Sequence, residues 1–197
     1  IVVAGSASGE VAVSVAVGAT VITDNTQASI GAGAVIGSAI RPAALTIKAT
    51  DDTAILDIAG TFGASGSAGV GAGVDVVVLN KATNAWFGKS SADDIVAVGH
   101  GSRAQVAGDA IIQAASTQYV YSLVAGFGVG GDAGAAGSVS VYRLTGHTLA
   151  GVADRASLLA GGNVAVLAYD DSALAPWRSA AALAARSERA SPPMCLS

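Results

Sequence analysis

The chain has 197 residues and a net charge of −4, and it is 52% hydrophobic but only 5% aromatic and 12% charged. Its apolar content is mainly Ala and Val, with 26 Gly. This permits a long, thin core and excludes the low-hydrophobicity, high-charge signature of disorder. Ten Lys and Arg scattered along an acidic chain argue against nucleic acid, whose phosphates need clustered cations, and a single Cys excludes an internal disulfide.

The sequence opens on Ile1 already inside an alternating pattern, with no initiating Met and no leader, and reads as a segment of something longer. A Gly/Ala/Ser tract, Gly5 to Gly9, runs into Val11, Val13, Val15 and Val17, which alternate with Ala12, Ser14 and Ala16. A period of two places the valines on one face of a strand. No segment reaches 18 apolar residues without polar interruption, so Val11 to Thr23 is read as strand and not as membrane helix. Thr26-Gln27-Ala28 closes this first unit.

The second unit begins with the short strand Leu45 to Ala49, then the polar pair Asp51-Asp52, then alternation from Ala54 to Phe62. A small-residue tract, Gly60 to Ala72, leads to Val74, Val76 and Val78 and to Thr83-Asn84-Ala85. The third unit repeats this order with Ala110 to Ala114, Ser116-Thr117, Tyr119 to Phe127, Gly126 to Gly137, Val139, Val141 and Thr148-Leu149-Ala150. Val164 to Ala168 and Asp170-Asp171 start it again. An offset of 65 residues pairs Ile47 with Ile112, Phe62 with Phe127, Gly69 with Gly134, Val74 with Val139 and Thr83 with Thr148. Self-similarity at a fixed period is the mark of a stacked array. Each unit is expected to hold about four strands, and the repeated Phe62 and Phe127 are expected in the core.

The second unit carries extra length around Lys89 to Arg103, which includes Asp93, Asp94 and His100. In stacked repeats such insertions form loops on one face. After Ala173 the pattern stops at Ala175-Pro176-Trp177. Residues 1–173 are therefore read as a β-repeat region of about three units, and 174–197 as a non-repeat tail. Ser179 is a candidate cap for a short helix over Ala180 to Arg189, which would shield the open end of the stack; the alternative is a disordered, truncated or read-through end with no role of its own.

These readings give an all-β repeat β-solenoid, a parallel β-helix. The alternative is a set of long antiparallel hairpins stacked side by side, with Gly66-Ser67 as a hairpin turn.

The motif order resembles the repeats of very large bacterial surface exoproteins, the filamentous-haemagglutinin-like and leukotoxin-like adhesins. The resemblance is carried by the Gly/Ala tracts running into Val74-Asp75-Val76-Val77-Val78-Leu79-Asn80 and Lys81-Ala82-Thr83-Asn84-Ala85-Trp86-Phe87-Gly88. It is supported by Val17 to Gly31, Val139 to Gly151, and the strands ending Lys48-Ala49 and Gln113-Ala114. It implies an exported, rod-like solenoid on an outer cell surface, and brings no catalytic residue. The expected function is a structural or adhesive, non-catalytic segment, extracellular, with host or neighbouring-cell proteins or glycans as partners and end-to-end self-association. Two alternatives from other classes are a polysaccharide-acting β-helix enzyme and a self-assembling fibril module.

No cofactor or metal is expected. His100 and His147 lack ligand partners at close spacing and are read as solvated turn residues. The pairs Asp51-Asp52, Asp93-Asp94 and Asp170-Asp171 contain oxygens suited to Ca²⁺, but their replacement by Ser116-Thr117 in the third unit favours a turn role. Gly126 to Gly131 resembles a dinucleotide loop only superficially, because a strand follows it and not a helix. Trp86 has no aromatic counterpart in the other units and lies beside the insertion. With Asp93, Asp94 and His100 it forms the candidate partner contact.

Overall fold

The computed structural model describes residues 1–88 and 101–184. Among the described residues it is a stack of coils whose regular elements are strands: β1 (Val2–Ser8), β2 (Val11–Ile30), β3 (Val35–Ile36), β4 (Leu45–Ser65), β5 (Ala68–Phe87), β6 (Arg103–Val106), β7 (Ala110–Gly130), β8 (Ala133–Val152), β9 (Ser157–Ala160) and β10 (Val164–Ala184). They form three sheets, ordered β1-β4-β7-β10, β2-β5-β8 and β3-β6-β9. Every ladder is parallel. The fold is a parallel β-solenoid. The four- and three-stranded sheets lie face to face, and the small third sheet closes one end of each coil.

The 65-residue offset is the length of one coil. Ile47 pairs with Ile112, Phe62 with Phe127, Gly69 with Gly134 and Val74 with Val139. The Thr-x-Ala marks stack in register, Thr26 on Thr83 on Thr148 and Ala28 on Ala85 on Ala150. The hairpin alternative fails on the ladders. Gly66-Ser67 does reverse the chain, but β4 and β5 fall in different sheets and bond to neighbouring coils.

Each coil has three strands, not four. The polar pair expected at a turn lies inside a single strand of 21 residues, β4, with Asp51 facing in and Asp52 facing out. At about 3.3 Å per residue such a strand is roughly 70 Å long. The expected break after Ala173 is also absent from the backbone, because β10 stays in register with β7 up to Ala184 beside Gly130. The candidate helix at Ser179 is strand as far as Ala184, and the rest of it lies outside the described residues. Pro176 is tolerated because β10 is an edge strand.

The coil tapers. At the closed end the third sheet supplies Ala104, Ile36 and Leu158, which pack with Ile47, Ile112 and the fully buried Phe87. Burying one such ring contributes about 2–3 kcal/mol. At the opposite end, near Gly66, the two large sheets touch backbone to backbone. A methyl on Gly63 would overlap the Val70 carbonyl, and one on Gly128 would overlap the carbonyls of Ala135 and Gly69. Inward positions at this tip are Gly, Ala and Ser, with Thr61 and Val124 where the sheets begin to part, so the valines of β2 are left outside, and Val17 is 60% exposed. The same constraint overturns the core assignment of Phe62 and Phe127, which face outward at 50% and 42% exposure.

Candidate functional site

Inward positions of the two large sheets carry alternating apolar and polar layers. Next to the glycine tip is a carboxylate pair. Asp75 of β5 is fully buried and accepts a 2.7 Å hydrogen bond from the Ser122 hydroxyl of β7. Asp57 of β4, also buried, accepts a 2.7 Å bond from the Thr20 hydroxyl of β2. The two Oδ1 atoms converge over Gly18, lying 3.0 Å and 3.9 Å from where its Cβ would stand. Burial, reinforced by the Asp57 charge, pushes the Asp75 carboxyl above its ordinary value, although the Ser122 hydrogen bond opposes this.

This gives a pH prediction. The raised folded-state value means that the folded chain holds the Asp75 proton more tightly than the unfolded chain. The stability linked to this proton is present below the ordinary value of 3.8 and is lost as pH rises through the folded value. Asp75→Asn removes that loss while its amide still accepts from Ser122. Urea titrations from acid to neutral pH should show the variant gaining on the parent as pH rises. A difference that stays constant with pH would refute the assignment.

A layer of Ile55, Val77, Leu79 and Val120, flanked by Ile22 and Leu144, separates this pair from a second polar layer. There Lys81 of β5 reaches across the core to Asp51 of β4, with Nζ 2.9 Å from Oδ2, and donates to the Thr117 carbonyl at 3.3 Å. Both side chains are almost completely buried. One coil further on, Thr148 donates to Asp170 at 2.8 Å. These interior acids are structural partners, and no group of metal-ligating residues occurs among the described residues.

Trp86 is the sequence candidate that the structure places. It faces outward near the end of β5, beside Phe87, which faces inward. A Cβ on Gly151, its neighbour one coil on, would strike the indole, so the ring lies across that glycine. At Gly88 the backbone enters the left-handed region, with φ 87°, and leaves the sheet. The Gly88 amide donates to the Ile30 carbonyl at 2.8 Å, and the Ser102 hydroxyl donates to the Gly31 carbonyl at 3.1 Å. Both feet of the insertion are thus tied to one corner of the first coil, two residues from Trp86. Asp93, Asp94 and His100 lie outside the described residues.

His147 is exposed, and it sits within β8 and not in a turn. Asp51-Asp52 and Asp170-Asp171 likewise lie in strands. Sequence reading missed both buried pairs, yet a signal was there. Asp51 and Lys81 stand fifteen residues either side of Gly66, and Asp57 and Asp75 stand nine either side. A chain that reverses at Gly66 must bring each pair face to face. No family model, curated protein or solved structure matches this chain.

Proposed function

We propose that the chain is a structural and adhesive segment of a secreted, surface-exposed bacterial exoprotein of the filamentous-adhesin kind, working without catalysis. One observation carries this reading: the residues that recur from coil to coil, inward ones such as Thr83 and Ala85 and outward ones such as Phe62 and Phe127, stand on one another in the parallel ladders and serve stacking. The recurrent chemistry therefore builds length. The buried carboxylates support the same conclusion over the polysaccharide-enzyme alternative, because Asp57 and Asp75 are enclosed between sheets and address no groove. Coils differ at several outward positions, Leu56 against Tyr121 and Val78 against Arg143 among them; Trp86 is the one of these beside the insertion, and recognition of a surface protein or glycan is assigned there. Aromatic side chains at such positions supply contact area with little entropy to lose.

The test is binding of the fluorescently labelled chain to cultured epithelial cells and to bacterial cells, alongside turnover assays on acidic polysaccharides. Saturable binding that falls at least tenfold in Trp86→Ala, with an unchanged far-UV spectrum, is expected. Turnover of a polysaccharide, or binding indifferent to Trp86, would overturn the reading.

A further inference from the structure

The outer face of the four-stranded sheet is divided across its strands. Toward the closed end its outward positions are mixed, with Thr46, Lys48 and Asp52 on β4 and Gln113 on β7. From Ala54 and Tyr119 to the tip they become apolar on β4 and β7, and those of β1 beside them are Val3, Gly5 and Ala7. Val3, Leu56, Phe62, Tyr121, Leu123 and Phe127 are all exposed there. None of the described side chains on this half of the face is charged. The register also stacks like on like, Phe62 beside Phe127, Leu56 beside Tyr121 and Ile58 beside Leu123. A continuous apolar patch of this kind marks an interface.

We infer that this half-face is where a second copy of the chain docks, sheet against sheet, about a two-fold axis. Strands spaced about 4.8 Å apart and about 11 residues deep give a patch of roughly 650 Å² per copy, or about 1,300 Å² in all. That reaches the lower range of stable protein interfaces, about 1,200–2,000 Å². The opposite outer face, that of β2, β5 and β8, is also apolar near the tip. It has only three strands and presents Val13, Val17 and Val74 there, with no aromatic side chain. Its patch is correspondingly smaller and lacks the Tyr and Phe anchors that dominate interface energetics. A lipid surface fits less well. The edge strands β1 and β10 would carry unpaired backbone groups into hydrocarbon, where each costs several kcal/mol, and the tips would carry Glu10 and Asp132 with them. Sheet-to-sheet docking leaves edges and tips in water. An isologous contact also needs only the patch that both copies already have.

The experiment is sedimentation velocity of the full chain from 1 to 200 μM with reductant, so that Cys195 forms no cross-link. The variants Leu123→Lys and Leu56→Lys place a charge on the proposed face, and Val74→Lys places one on the opposite face. Each variant is checked by far-UV circular dichroism, and co-flotation with neutral phosphatidylcholine vesicles is measured in parallel. A micromolar dimer is expected that weakens at least tenfold in both Leu variants, with native spectra, and is unchanged in Val74→Lys. A parent that stays monomeric at 200 μM overturns the inference. So does a dimer indifferent to both Leu variants, a dimer lost only in Val74→Lys, or vesicle flotation without self-association.

Discussion

Gly128→Val should be strongly damaging in the tapered end of the solenoid, lowering stability by more than about 3 kcal/mol. At this position β7 faces both β5 and β8, and the space for a Cβ is already filled by the carbonyl oxygens of Ala135 and Gly69. The obstruction is backbone, which cannot rotate aside as a flexible side chain would. Relief requires the two large sheets to separate, and separation breaks the contacts of Gly63, Gly69 and Gly71 along the same seam. The cost is therefore cooperative along the tip. Gly137→Ala provides the control. No atom lies within 4 Å of its would-be Cβ, so Ala should be neutral or stabilising by up to about 1 kcal/mol through the unfolded chain. Urea unfolding of both variants measures this directly. Equal midpoints for Gly128→Val and the parent would mean that the sheets are not held at backbone contact.

The same seam explains what the sequence could and could not tell. The coil length and register were legible, because a parallel solenoid stacks each residue on its repeat partner. Ile47 on Ile112 and Thr83 on Thr148 are both the repeat and the ladder. Strand parity was legible too, but its direction was not. Hydrophobicity normally marks the buried face, and here the valines of β2 are outside because small residues fill the space between the sheets near the tip. Phe62 and Phe127 were misread for that reason, since recurrence alone does not say on which side of the sheet a residue lies. Strand continuity through Asp51-Asp52 was hidden because an acidic pair ordinarily signals a turn. It persists as strand because the inward member has a cation waiting for it. Trp86 was found from its lack of a counterpart, and its neighbour Gly151 becomes meaningful only once the register sets the two side by side.

Lys81→Met should cost about 3–5 kcal/mol, the range for removing one partner from a buried ion pair. Lys81 Nζ lies 2.9 Å from Asp51 Oδ2 and also satisfies the Thr117 carbonyl. Without it, Asp51 keeps only the 3.3 Å hydrogen bond from the Thr53 hydroxyl. Asp24, the residue in register with Lys81 one coil back, then adds a like charge to the same layer. The single change thus strands a carboxylate between two sheets. The pair itself is a different matter, because two charges taken out of water barely recover their desolvation. The third coil shows that the fold does without them, with Ser116 and Gly146 in the equivalent positions. Asp51→Leu combined with Lys81→Met should therefore return to within about 1 kcal/mol of the parent. The double-mutant cycle is the decisive measurement, since a near-additive double variant would show that Asp51 and Lys81 do not act on one another. A large coupling would show that Asp51 and Lys81 stabilise one another across the two sheets, in the layer where Asp24 and Asp51 would otherwise stand uncompensated.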